Sequence, residues 1–371
     1  MSPAPPSFDD RASRDIAGRI RRACRASLDA LVIDGRPRLL VGLSGGPDSS
    51  ALLLALAAGA MREGWAIVAA HIDHGIAPPP VRREFEGAAR AVADRVGVPL
   101  RVGRVDAPAE AARRGDGLEA AARRLRYDAL LEIAAAAFDG RPAHAIVVGH
   151  TMDDQAESVL LHLIRGSGSD GLAGMPAGGV VPRPGARTPL LRPLLDIRRS
   201  ETAALCAAAG AAPVHDPAND DPSYTRVRLR RDVLPALRSI NPAIVERLAA
   251  LAGAVAVDRA LLDQLTAAAA DALQADSALP PAPAGAVVFS RRGLARQPRA
   301  IRARLLRRQV VALGGEAPDW GRTGALLRLA ERGGHQVQCA GGVVAAAAGD
   351  RLCIRRDAGP PPAAGPCAGA D

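Results

Sequence analysis

The sequence predicts an α/β protein: a doubly wound parallel sheet, then a mainly helical basic region and a small C-terminal element. Three observations predict it. Short apolar runs (Leu39–Leu43, Trp65–Gly75, Leu100–Val105, His144–His150) alternate with segments of helix length, the pattern of βαβ units. A turn of glycines and serines, Ser44 to Ser49, joins the first run to the helix after it. From Pro242 onward, long helix-compatible segments rich in alanine, leucine and arginine replace the alternation.

Each element follows from its residues. Met1 to Asp10 is polar and proline-rich and reads as a disordered lead-in. Arg11 to Leu31 is an amphipathic helix, with Ile16, Ile20, Cys24 and Leu28 at helical spacing. Leu39–Leu43 is a buried strand and Ser50–Met61 its helix. The second strand ends in His71, Asp73 and His74, where open parallel sheets hold ligands. After the Pro78–Pro80 loop come a helix (Val81–Val96), the third strand (Leu100–Val105), and a helix over Leu118–Ala137 carrying Glu119, Arg123, Arg124, Arg126 and Tyr127. His144–His150 is the fourth strand, Met152–Arg165 the next helix and Arg198–Ala209 the last of the domain. Gly166 to Arg187 has no period and reads as a long surface loop over the site. The polar run His215–Tyr224 is the expected domain junction. Beyond it Arg226, Arg228 and Arg230 alternate, so on a strand they share one face. A long helix (Pro242–Leu273), a linker (Ala278–Ala284), a basic helix (Pro298–Leu313), a β-element (Gln336–Arg355) and a disordered tail (Pro360–Asp371) complete the chain. The expected parts are 1–35, a lead-in and helix; 36–216, the α/β domain; 217–335, a helical basic domain; and 336–371.

The turn carries the chemistry. Glycines let a backbone fold tightly against a ligand, and the first turn of a helix offers unpaired N–H groups and a positive dipole end to an anion. Ser44, Gly45, Gly46, Pro47, Asp48 and Ser49 are therefore a phosphate cradle. Two other cradles are excluded: the chain has no lysine for a G-x-x-x-x-G-K-[ST] loop, and G-x-G-x-x-G is not matched at this turn. A bare carboxylate repels phosphate, so Asp48 implies a divalent cation, naturally Mg²⁺. The plainer alternative is a helix start capped by Asp48 or Ser49.

Ser44–Ser49 resembles the S-G-G-x-D-S loop of the PP-loop ATP pyrophosphatases, a Rossmann-like family that cleaves ATP between its α- and β-phosphates. The run His150-Thr151-Met152-Asp153-Asp154-Gln155-Ala156-Glu157, continuing through Arg165-Gly166-Ser167-Gly168 to Met175, resembles the second signature of one branch, the tRNA(Ile)-lysidine synthetase family. His71-Ile72-Asp73-His74-Gly75, Ala122-Arg123-Arg124-Leu125-Arg126-Tyr127, Leu191-Arg192-Pro193-Leu194-Leu195, and Asn219 with Tyr224 through Pro235 are similar to further motifs of that family, from Leu39 to Leu237. Departures are Val227, where the family carries asparagine, and Ile76-Ala77-Pro78.

The resemblance implies adenylation of the anticodon wobble cytidine of the CAU-anticodon tRNA(Ile), then displacement of AMP by free L-lysine, with ATP and Mg²⁺ as cofactors. It assigns the phosphates to Ser44–Ser49, catalysis to Asp48, Arg123, Arg126, His150 and Asp154, the lysine to Asp154 and Glu157, the metal to Asp48 and Asp154, and tRNA to Arg226, Arg228 and Arg230. Whether Asp154 serves metal or lysine stays open, as does the oligomeric state, a homodimer among the options. Plainer readings stand beside these: Thr151 or Asp153 as helix caps, His150 as a hydrogen-bonded core residue, and the arginines as solvated faces.

Composition agrees. The net charge of +9 sets 48 basic residues, all arginine, against 39 acidic ones, and favours a polyanionic partner, nucleic acid first. The five cysteines (Cys24, Cys206, Cys339, Cys353, Cys367) form no C-x-x-C pair, which disfavours a base-thiolating relative. Nothing resembles a glutaminase half, and a covalent lysyl-AMP ligase lacks its nucleophile. A non-catalytic RNA-binding protein predicts loss of Asp48 or a loop glycine, and both are kept. The polar N-terminus and the lack of a long apolar segment point to the cytoplasm.

Overall fold

The computed structural model describes residues 8–214, 216, 220–274, 285–334 and 336–357, which divide into two compact units, Met1–Ala256 and Val257–Asp371.

In the first unit, helix α1 (Arg11–Asp29) starts at Asp10, whose carboxylate accepts the Ser13 N–H at 2.7 Å. Phe8 is buried in the same core, so the expected disordered lead-in ends earlier: an aromatic ring and a cap fix residues 8–10, while residues 1–7 lie outside the described set. Then come β1 (Arg38–Gly42), α2 (Pro47–Ala57), α3 (Ala60–Glu63), β2 (Ala66–Asp73), α4 (Pro79–Arg95), β3 (Leu100–Arg104), α5 (Ala107–Arg114), α6 (Leu118–Ala136), β4 (Ala145–Val147) and α7 (Met152–Ile164). Leu39, Leu40 and Val41 have no exposed surface. Alternation sends Leu39 and Val41 into the core with α1 and α2, and Leu40 into the core with α6, as in a sheet covered on both faces. Helix α2 is apolar all round, with Leu52, Leu53, Leu54 and Leu56 fully buried, the mark of a helix inside the layers.

The expected long loop after α7 is partly regular. It holds a short helix, α8 (Ser169–Leu172), and a strand, β5 (Gly178–Val180), that pairs antiparallel with β6 (Pro189–Leu191). The glycines hid a strand in which Val180 is the one side chain, too little to show a period. The sheet order is β3-β2-β1-β4-β6-β5, parallel except for β5. From β1 the chain runs outward through β2 and β3, then returns to β4 on the other flank. The reversal between β1 and β4 opens a crevice at the carboxyl ends of these strands.

Helix α9 (Arg199–Ala208) packs beside α2. The alternating arginines do not form a strand: α10 (Thr225–Arg228) runs into a π turn (Leu229–Val233) and then α11 (Leu234–Ile240). Val227, Leu229 and Leu234 are buried. Leu229 and Leu234, with Val245 of α12 (Ile244–Gln274), pack against Ala156, Leu160 and Leu161 of α7, and burial at these steps selects a helical path. On it Arg226 and Arg230 are four apart and Arg228 points elsewhere. His215 and Asn219 of the expected junction lie outside the described residues, as do the Ala278–Ala284 linker and the Pro360–Asp371 tail.

The second unit contains an antiparallel sheet in the order β7-β10-β9-β8, from β7 (Ala286–Ser290), β8 (Val337–Cys339), β9 (Val343–Ala348) and β10 (Arg351–Arg356). Helices α13 (Arg291–Ala295), α14 (Arg299–Ala312) and α15 (Trp320–Arg332) accompany it. Leu305, Leu306 and Leu326 share a core with Phe289, Leu352 and Ile354. The C-terminal β-element is thus joined by a strand from before α14. The basic face of α14 is partly neutralised: Arg302 meets Glu331 at 3.0 Å and Arg304 meets Asp263 at 3.3 Å.

Candidate active site

The cradle is knitted by its own serines. Ser49 Oγ accepts from the Ser44 N–H at 3.1 Å, lies 3.0 Å from Ser44 Oγ and donates to the Gly46 carbonyl at 3.2 Å. Gly45 has φ +89°, and a Cβ there would fall 2.7 Å from the Phe85 carbonyl oxygen, so only glycine fits. From β4, Gly149 leaves room for the turn: a Cβ would lie 3.1 Å from the Asp48 carbonyl carbon and the Ser49 nitrogen. The N-cap of α2 is Gly46, Pro47 follows, and no side chain caps the helix. The plainer reading of Asp48 or Ser49 as a cap is therefore not what forms: Gly46 N–H donates to Ser44 Oγ at 3.3 Å and Ser50 N–H to the Gly46 carbonyl at 3.1 Å, which leaves the Asp48 and Ser49 N–H groups for an anion.

Asp48 Oδ1 accepts from Thr202 Oγ1 at 2.5 Å, and Oδ2 lies 3.5 Å from Arg199 Nε. Burial pushes its carboxyl up from the usual range, and Thr202 and Arg199 only partly offset this. Asp48 is thus short of positive charge. Mg²⁺ sites combine one or two carboxylates with substrate phosphates and water. The donor type at Asp48 and Asp154 suits that arrangement, although no cluster of three metal-ligating side chains occurs among the described residues.

Across the crevice, Thr151 and Asp154 form a reciprocal cap at the start of α7: Asp154 Oδ2 accepts from the Thr151 N–H at 2.8 Å and from Thr151 Oγ1 at 2.9 Å. Capping thus falls to Thr151 and Asp154 rather than Asp153. The other oxygen, Oδ1, meets Arg199 Nη2 at 2.7 Å. Burial alone would raise the Asp154 carboxyl, but Arg199, the Thr151 N–H and His150 outweigh it and hold it low. Glu157 is 1% exposed and accepts from Arg230 at 2.9 and 3.2 Å and from Arg199 at 3.3 Å.

His150 ends the turn after β4. Burial pushes it down to about 4; Arg192, Arg123 and Arg126 add to this against the pull of Asp154. The ring is neutral at pH 7, and its buried Nδ1 has no partner, unlike a satisfied core histidine. Arg126 Nε donates to His74 Nε2 at 3.2 Å, and Arg123 lies over the Tyr127 ring, 5.1 Å from its centroid. The two arginines and His150 thus stand together.

The PP-loop domain family matches residues 19–237. The tRNA(Ile)-lysidine synthase of Salinispora tropica is 43% identical over 85% of this chain and 94% of its own length. That of Nocardia farcinica is 38% identical over 92% and 99%. The chain belongs to the tRNA(Ile)-lysidine synthase family. Among solved structures, the U34-tRNA thiolase NcsA from Methanococcus maripaludis, with its [4Fe-4S] cluster, is 18% identical, with a TM-score of 0.51 over 65% of this chain and 79% of that one; the likeness is one of fold.

In this lysidine synthase family member, Cys24, Cys206 and Cys339 are buried. Cys206 nears the turn, donating to the Pro47 carbonyl at 3.3 Å, but burial pushes its thiol up to about 12, so no thiolate is at hand. The sequence reading missed Arg199, Thr202 and Arg198. They lie at the start of α9, 42 to 154 residues from their acidic partners, and no local pattern announces such pairs. The one usable signal is position: Arg198-Arg199 follows the Leu191–Leu195 motif directly into a helix. Arg230, expected with Arg226 and Arg228 to contact tRNA, is joined to Glu157 by the helical path of this segment. Arg228 is exposed.

Proposed function

We propose that this chain joins L-lysine to C2 of the wobble cytidine, position 34, in the CAU-anticodon tRNA(Ile), consuming ATP. In the first step the cytidine C2 oxygen attacks the α-phosphorus of ATP and pyrophosphate leaves. In the second the lysine side-chain amine attacks C2, and AMP leaves with that oxygen. The observation that carries this reading is the meeting of the open Ser44–Ser49 turn with the acids of α7 at one strand-order reversal, in a chain that spans nearly the whole length of relatives bearing that name.

The residues divide the work. Ser44, Gly45, Gly46, Pro47 and Ser49 hold the phosphates through the turn and the α2 start. Asp48, with Asp154 beside it, would hold Mg²⁺, which would neutralise phosphate charge there. Arg123 and Arg126 stabilise charge at the reacting phosphate. Neutral His150 is available to accept a proton at Nδ1 as the amine adds. Asp154 and Glu157 orient the lysine ammonium. The α/β part, residues 36–216, does the chemistry, while the basic part, residues 217–335, holds tRNA with Arg226 and Arg228 in contact with phosphates. No single described helix is long and apolar enough to cross a membrane, in keeping with work on tRNA in the cytoplasm.

The test is incubation with ATP, Mg²⁺, labelled lysine and the CAU-anticodon tRNA(Ile). Label entering RNA only when all are present supports the reading. Pyrophosphate release that ignores tRNA sinks it.

A further inference from the structure

We propose that Arg199 is an internal counter-ion, a positioning residue that holds the cation-binding carboxylates together until Mg²⁺ or the lysine ammonium displaces it. The proposal rests on the reading that Asp48, Asp154 and Glu157 receive those cations.

The guanidinium reaches all three acids with three different nitrogens: Nε to Asp48 at 3.5 Å, Nη2 to Asp154 at 2.7 Å and Nη1 to Glu157 at 3.3 Å. Its backbone is anchored separately, the Arg199 N–H donating to Asp153 Oδ2 at 2.9 Å. Arg199 is the first residue of α9, so the base of the side chain is fixed apart from the fork. Three carboxylates converging without a cation repel one another, and a planar five-donor fork suits a site of this shape. The balance of charge agrees: burial would lower the Arg199 value, but Asp154, Glu157 and Asp48 more than reverse this.

The contacts already made on these oxygens put an arriving cation in competition with Arg199. Both Glu157 oxygens accept from Arg230. Asp154 Oδ2 is committed to Thr151. That leaves Asp154 Oδ1 and Asp48 Oδ2, the two oxygens facing Arg199, so an arriving cation competes with the guanidinium for them. The longer contact to Asp48, whose carboxyl remains short of charge, is the natural point of entry. The Arg199 side chain keeps 27% of its exposure, enough for solvent to reach the exchange. Once displaced, the guanidinium stays tethered beside the phosphate turn and keeps the cleft positive while pyrophosphate departs.

Competition gives a signature that a scaffold residue lacks. Thermal unfolding of wild type, Arg199→Gln, Arg199→Lys and Asp154→Asn is followed against Mg²⁺ alone and L-lysine alone. Arg199→Gln is expected to melt lower without cation, to recover with either, and to reach half-recovery at about tenfold less Mg²⁺ than wild type, since ligand stabilisation tracks the affinity of the folded state. Arg199→Lys, which keeps a charge but loses the fork, falls between them and serves if the glutamine variant does not fold. An unchanged or weaker Mg²⁺ midpoint in both Arg199 variants, with the response abolished in Asp154→Asn, overturns the counter-ion role alone. A response that survives intact in Asp154→Asn removes the carboxylate reading and the proposal with it.

Discussion

The turn after β1 and the start of α7 face one crevice and are built in opposite ways. The turn is made of backbone: serine hydroxyls knit it, a left-handed glycine shapes it, and no side chain caps the helix behind it. The start of α7 is made of side chains, its acids satisfied by arginines from α9 and the π turn. A backbone site is open by construction and suits an anion. A side-chain acid site must be neutralised when no ligand is present, because converging buried carboxylates are costly. The difference suggests that phosphates enter a ready cradle, whereas cations enter by exchange.

The widest test of that contrast is at the one residue belonging to both regions. Asp48→Ala is expected to lower pyrophosphate release by about 10³-fold or more, the scale of losing a group that stabilises transition-state charge, with tRNA affinity unchanged. Full turnover in this variant would remove the metal role.

Next comes the shape of the cradle. Gly45→Ala forces a residue with a side chain into φ +89° and drives its Cβ onto the Phe85 carbonyl, a strain of about 1–3 kcal/mol. The melting temperature should fall and ATP affinity with it. Gly64, at φ +71° with nothing nearby, is the control: Gly64→Ala should lose stability and leave ATP binding alone. Equal ATP affinity in both variants would mean the turn is not the cradle.

What was legible follows the same divide. The order of strands and helices through α7 and the turn could be read because short-range pattern determines them: apolar runs, and glycines where a backbone must bend. The acid cluster could be read only as a set of acids. Asp154 and Glu157 lie one turn apart in sequence, but the cation between them comes from Arg199, and nothing near Arg199 in the chain points back across the sheet. The strand reading of Arg226 to Arg230 failed for a related reason. The arginines alternate, but the fold is decided by Val227, Leu229 and Leu234 burying themselves, the latter two against α7.

That segment separates the two kinds of arginine. Arg230→Ala leaves the buried Glu157 with Arg199 as its only ion-pair partner among the described residues. With one competing arginine gone, it should lower the lysine concentration needed for half-maximal transfer by about tenfold, and leave the salt dependence of tRNA binding as it was. Arg228→Ala should do the reverse: lysine use unchanged, tRNA affinity lower by a few-fold, and the salt slope reduced by about one. If the two variants behave alike, the division between a cleft arginine and a surface arginine fails.

The smallest effect concerns pH. Burial pushes His150 from 6.5 to about 4 and His74 to about 3, the second with help from Arg126. For both, the folded value lies below the unfolded one, so folding favours the neutral ring. Their contribution is complete above pH 6.5 and is lost as the pH falls from there towards 4, where the unfolded chain takes up protons the folded one refuses. The melting temperature should therefore decline across that window. His150→Asn keeps a polar side chain without the titration and should decline less steeply, by about the share of one proton. Parallel curves for the two proteins would show that His150 takes up protons alike in the folded and unfolded chain, so that burial does not hold the ring neutral.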